Sequence, residues 1–339
     1  MNTSMFARTS QRGIAASCQV FLISFMVLIL PACTSSISDP TMQSARSISY
    51  SIVENESDYR TTRDENFNLD KVIFEDFNIR SKLRENGNYF ITVAMPEEYD
   101  RTTKNYPVIY LLDPGYGGTR NESIIKAIAS IASTKLQFPL VIVGIGYNQF
   151  TARNRDYTPS KNRVYPTSGG AAQFLEFIEL ELIPEVEKNY RVETDRRVLL
   201  GHSFGGLFTY FSLFQKPDLF QYRIALSPSL WWDDDMMLNV EREFSRNGGQ
   251  LSGVLFTAAG SNESTSRIIG PYQKMVNRLK DRGYADLKII DGIFPDEDHG
   301  SVFFNSAIAG IIAIFDITPP SSTEPQEPIQ QSAQPDSNS

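Results

Sequence analysis

Val198-Leu199-Leu200-Gly201-His202-Ser203-Phe204-Gly205-Gly206-Leu207 is the stretch on which the reading of this chain turns. The apolar run ending at Leu200 predicts a buried strand, and Leu207-Phe208-Thr209-Tyr210-Phe211 begins an apolar helix beyond it. Between them stands Gly-x-Ser-x-Gly, the pattern that lifts a serine above a sheet on a tight strand-to-helix turn. Gly201 and Gly205 are expected there because a Cβ at either position would obstruct the return of helix onto strand. Ser203 would then sit in a strained backbone conformation, and the first helical amide, that of Phe204, would face a developing oxyanion.

A serine hydroxyl is a weak nucleophile near neutral pH and needs a base. The chain has 2 histidines. His202 lies inside the turn, and its side chain leaves the backbone in another direction, so it reads as a wall or packing residue of the substrate cleft. His299, in Phe294-Pro295-Asp296-Glu297-Asp298-His299-Gly300-Ser301, occupies a polar loop between a strand and the last helix. That is the place of a base in the chain order serine, acid, histidine. The acid should follow a strand between the two. The strand over residues 254–259 runs into Gly260-Ser261-Asn262-Glu263, and Glu263 is the only acid before Asp281. Its rivals are Asp233, Asp234, Asp235, Asp291 and Asp296, which read better as solvated caps and loop charges.

A second oxyanion donor should come from the loop after an earlier strand. Asp113-Pro114-Gly115-Tyr116-Gly117-Gly118 stands in that position, with the backbone amide of Gly115 or Tyr116 as the donor. Both tryptophans of the chain, Trp231 and Trp232, follow a strand end in Ser227-Pro228-Ser229-Leu230-Trp231-Trp232, where indoles would suit a substrate-binding cleft wall.

Around this centre, apolar strand-like and amphipathic helix-like segments alternate. Strands are expected over residues 89–95, 107–112, 140–145, 222–226, 254–259 and 287–290, besides the strand that carries Ser203. Helices are expected over residues 123–132, 171–190, 268–282 and 301–314, with another before residue 254. Residues 146–170 read as a long polar loop. Such alternation builds an α/β domain with a mainly parallel central sheet and helices on both faces, its site at the carboxyl ends of the strands.

The ends of the chain differ in kind. Arg8 and Arg12 precede an apolar run over residues 20–30, which closes on Leu30-Pro31-Ala32-Cys33. This predicts a secretory signal over residues 1–32 with lipidation at Cys33, hence a location in the cell envelope on a bacterial membrane. Residues 33–66 read as a polar tether, 67–318 as the folded domain, and 319–339 as a Pro/Ser/Gln-rich tail too polar to order itself. With Cys18 removed and Cys33 lipidated, no cysteine remains for a disulfide, so the core alone must hold an exported domain. Loss of Arg8 and Arg12 takes the formal charge from −8 to −10, and no basic stripe occurs, which argues against a nucleic-acid partner.

Several of these segments, in this order, resemble the family of esterase D and the enterochelin-esterase-like hydrolases of siderophore trilactones. They are Tyr110-Leu111-Leu112-Asp113, Ile142-Val143-Gly144-Ile145-Gly146-Tyr147, Arg153-Asn154-Arg155-Asp156-Tyr157-Thr158-Pro159, Glu181-Leu182-Ile183-Pro184, Gly201-His202-Ser203-Phe204-Gly205-Gly206, the tryptophan segment and Asp298-His299-Gly300-Ser301. The resemblance covers most of the domain and neither tail. It implies an α/β-hydrolase fold, cleavage of a carboxylic ester by a serine, and no cofactor or metal. Matching motifs carry over Ser203 and His299. The acid varies among relatives, some of which rely on serine and histidine alone, so Glu263 rests on its position. Acyl transfer by the same serine and non-catalytic ligand binding on a hydrolase scaffold are the alternatives.

Overall fold

The computed structural model describes residues 71–84, 87–115, 123–147 and 150–317. Cys33, the signal and tether segments, Tyr116 and the C-terminal tail lie outside the described residues. Eight strands form one sheet: β1 (Val72–Arg80), β2 (Asn88–Pro96), β3 (Tyr106–Leu112), β4 (Val141–Tyr147), β5 (Val192–His202), β6 (Tyr222–Leu226), β7 (Ser252–Gly260) and β8 (Asp286–Phe294). Their order is β1-β2-β4-β3-β5-β6-β7-β8. The first two pairings, β1 with β2 and β2 with β4, are antiparallel; every pairing from β4 to β8 is parallel.

The apolar runs of the central strands are continuous because both of their faces are covered. On β3, Val108, Tyr110 and Leu112 face one core, while Ile109 and Leu111 face the other. The first core is closed by α3 (Ala171–Phe177) with its continuation α4 (Ile183–Asn189), by α5 (Phe204–Gln215), and by α6 (Trp232–Arg246) and α7 (Gly270–Arg282). The second is closed by α1 (Ser123–Thr134) and α8 (Val302–Phe315). Every residue of α5 except Gln215 is buried, so this helix cannot shift along the sheet without opening the first core. Burial of each large apolar side chain contributes about 1.5–3 kcal/mol, so these contacts fix where α5 begins.

Two departures from the sequence reading have plain causes. Residues 146–170 are not one loop: α2 (Phe150–Tyr157) lies within them. Its polar sequence hides the helix because its buried side chains include Asp156, which accepts from Arg155 and Tyr89. The strand β1 carries little strand signal in its sequence: its acids Glu75 and Asp76 interrupt the apolar run, and it lies at the edge of the sheet with only part of its length half-buried. No helix among the described residues is long and apolar enough to cross a membrane.

Candidate active site

The turn between β5 and α5 presents Ser203 at φ 60° and ψ −118°. For a non-glycine residue this conformation costs about 1–3 kcal/mol and persists only where neighbours enforce it. Here they do. Ser203 N donates to Leu226 O at 2.9 Å, and Ser203 O accepts from Leu207 N and Ser229 N at 3.0 Å each. A Cβ on Gly201 would run into the backbone carbonyl of Gly205, as the pattern requires. Gly205 itself is a correction: a Cβ there would come no nearer than 3.5 Å to Leu112 and 3.7 Å to Asp113 Oδ2, both ordinary contacts. The second tight position is Gly206, whose Cβ would lie 2.9 Å from Leu226 O and from Pro228 Cα.

His299 arrives from the loop between β8 and α8. Its Nε2 lies 3.0 Å from Ser203 Oγ, and its Nδ1 lies 2.6 Å from Glu263 Oε2. The imidazole is 45% exposed, whereas the Glu263 side chain is fully buried. Oε1 of Glu263 accepts from Ser227 Oγ at 2.5 Å and from the amide of Gly260 at 2.7 Å. A buried carboxylate with its oxygens so occupied can fix the orientation of an imidazole and offset the charge of an imidazolium. Three of the rival acids have side chains engaged elsewhere. Asp233 accepts from Ser160, Asp235 pairs with Lys274, Asp291 pairs with Lys280, and the backbone of Asp296 bonds Ser261 and Asn262.

Phe204 opens α5, so its amide is among those with no partner inside the helix. Gly115 is buried two residues beyond Asp113, at the carboxyl end of β3; Tyr116 falls outside the described residues. Of the tryptophans, Trp231 is half-buried and packs on Phe204 at 6.1 Å between ring centres. Trp232 does not line the cleft. It is fully buried, edge-on to Phe204 at 5.3 Å, with its Nε1 donating to Ser160 Oγ. Core packing, the ordinary fate of an indole, accounts for it.

The ring of His202 stands 4.7 Å from that of His299 and edge-on to Phe303 at 5.4 Å. Its Nε2 is buried and has no hydrogen-bond partner among the described residues. Burial, reinforced by the nearby His299 and Arg153, pushes its pKa down to about 3, so the ring is neutral at physiological pH.

One further group belongs to the site, and the sequence gives it no role beyond its place in a segment of the family resemblance. Arg153 of α2 donates Nε to Asp113 Oδ2 at 2.8 Å and Nη2 to the carbonyl of His202 at 3.3 Å. Its guanidinium lies 5.4 Å over the ring of Phe204. Asp113 is buried at φ 56°, and its burial raises the carboxyl pKa against the pull of Arg153. A nearly buried cation thus stands beneath the turn that carries Ser203. The Arg-x-Arg-Asp stretch holds the signal, but its polar character alone shows no partner.

Comparison with known proteins bears on family and fold. The family model described as "Putative esterase" matches residues 84–265. Ferri-bacillibactin esterase BesA of Bacillus subtilis is 34% identical over 242 residues, covering 66% of this chain and 83% of that protein. Siderophore enterobactin esterase of Emericella nidulans is 28% identical over 284 residues, covering 69% and 92% respectively. Among solved structures, an IroE-like serine hydrolase from Shewanella oneidensis superposes with a TM-score of 0.63 at 30% identity, over 72% of this chain and 80% of that one. The nucleophile turn, the parallel sheet beneath it and these similarities together make the chain a member of the "Putative esterase" family and a carboxylic ester hydrolase of the serine type with an α/β-hydrolase fold.

Proposed function

We propose that this esterase cleaves a siderophore-type or other small ester through an acyl-enzyme on Ser203. The observation that carries the residue assignment is the chain of contacts from Ser203 Oγ through both nitrogens of His299 to Glu263. Ser203 Oγ attacks the ester carbonyl while its proton passes to His299 Nε2. The tetrahedral oxyanion is held by the amide of Phe204 and that of Gly115 or Tyr116, in the positive potential of Arg153. Collapse breaks the bond to the leaving alkoxide, which takes the proton from His299 and departs as alcohol. Water then adds to the acyl carbonyl, its proton goes to His299 and returns to Ser203 Oγ, and the carboxylic acid is released. The half-buried Trp231 forms the wall nearest Phe204.

Support for the substrate class comes from the relatives, which are described as esterases of ferri-bacillibactin, enterobactin and salmochelin. The sequence at Cys33 supports an envelope protein held by lipid, the active domain standing on a polar tether. Labelling by a fluorophosphonate, with hydrolysis of a siderophore trilactone beside a simple aryl ester, tests the reading. Wild type should label and cleave both, whereas Ser203→Ala should do neither. Undiminished hydrolysis by Ser203→Ala would remove the serine from this role, and cleavage of the aryl ester alone would remove the substrate class.

A further inference from the structure

We propose that Ser227 is a positioning residue of the reaction, a fourth member that acts through Glu263; this rests on the reading of Glu263 as the orienting acid. Ser227 is the first residue after β6, fully buried, and held at φ 42° with its amide donating to Ala258 O at 2.7 Å. A left-handed conformation on a buried non-glycine residue is uncommon. Its result here is specific: the hydroxyl is turned onto Glu263 Oε1 at 2.5 Å.

The last torsion of a glutamate side chain is broad and roughly two-fold, so packing alone does not fix the plane of its carboxylate. At Glu263 two donors do so. Ser227 Oγ and the Gly260 amide both hold Oε1, which leaves Oε2 aimed at His299 Nδ1 at 2.6 Å. Gly260 is the last residue of β7, three positions before Glu263, and fixes the carboxylate only relative to its own turn. Ser227 stands on the neighbouring strand end and ties the acid to the nucleophile. Two residues along the same corner, Ser229 N donates to Ser203 O at 3.0 Å, and Ser229 Oγ lies 3.4 Å from Ser203 Oγ. Pro228, between them, is packed against the backbone of Gly206 in the first turn of α5. The Ser227-Pro228-Ser229 corner is therefore the short covalent path between the acid's partner and the nucleophile's partner, and it sets the distance that His299 must span.

The test uses Ser227→Gly, which removes the hydroxyl while suiting the left-handed backbone, so that folding is not at risk. Turnover of a p-nitrophenyl ester and the low-field NMR signal of the His299 Nδ1 proton are measured. The same change is then made in a Glu263→Gln background. The expected results are a kcat about tenfold lower, a KM within about twofold, and loss or upfield movement of the low-field signal. In the Glu263→Gln background the added effect should be less than about twofold, because the carboxylate through which Ser227 acts on His299 is already gone. A Ser227→Gly enzyme with wild-type kcat and an unchanged signal, beside an impaired Glu263→Gln enzyme, overturns the proposal and spares the reading of the acid. Equal losses in both backgrounds also overturn it, since Ser227 would then act without Glu263. Wild-type turnover by Glu263→Gln instead defeats the reading of the acid and this proposal with it.

Discussion

Glu263 Oε2 lies 2.6 Å from His299 Nδ1, a wholly buried carboxylate meeting an imidazole that is 45% exposed. The acid thus approaches from the interior and leaves the other edge of the ring to Ser203 and substrate. Glu263→Gln keeps the shape but loses the charge that stabilises an imidazolium. Turnover should fall by up to about 10⁴-fold, the loss known when a serine protease acid becomes its amide. Steady-state kinetics beside a thermal melt checks this; a folded variant within about tenfold of wild type would leave a serine–histidine dyad.

Arg153 should matter for rate and for stability, and the two effects can be separated. Arg153→Met leaves the buried Asp113 carboxylate unpaired, which costs about 3–5 kcal/mol. Replacing both partners, Arg153→Met with Asp113→Leu, should recover much of that stability in a denaturant titration. It should not recover turnover, expected to stay about 10²–10³-fold low if the cation helps to hold the oxyanion. Recovery of both would make the pair purely structural.

His202 gives the protein a pH-dependent stability of known sign. Its folded pKa, about 3, lies below the ordinary value of 6.5, so the unfolded chain takes up a proton that the folded one refuses. The contribution is fully present above about pH 6.5 and is lost as pH falls from there toward about 3. His202→Gln removes the titration, so the drop in Tm between about pH 7.5 and pH 5 should be smaller than in wild type. An unchanged drop would mean that His202 is protonated in the fold.

The three glycines of the turn should respond in opposite ways. Gly201→Ala and Gly206→Ala drive a Cβ into backbone and should cost several kcal/mol or prevent folding, as overpacking beside fixed main chain does. Gly205→Ala has room and should leave the Tm within a few degrees of wild type. Melts of the three variants decide this, and a collapsed Gly205→Ala would contradict the geometry of the turn.

Anchoring is tested at Cys33. Cys33→Ala should move the protein from the membrane fraction to the soluble fraction or stall its processing, since the acyl chains would have no thiol to occupy. Normal processing with unchanged membrane association would refute lipidation at this residue.

The sequence by itself determined the local events of the site. Gly201 to Gly206 encode a strand, a strained serine and a helix within a few residues, and with 2 histidines in the chain the base was nearly forced. Alternation of apolar segments sufficed for the parallel sheet, because covered strands and amphipathic helices have distinct periods. Tertiary structure decided what depends on distance across strands. Position favoured Glu263, but its contact with His299 exists only because β7 and β8 bring their ends together across a parallel register. Trp231 and Trp232 are chemically identical neighbours, and only packing against Phe204 and Ser160 makes one buried and one half-buried. The roles of Arg153 and Ser227 were equally silent, because a polar residue inside a loop-like stretch carries no mark of its partner. Asp113 comes from the end of β3 and Arg153 from α2; the fold had to place them side by side before either could be read.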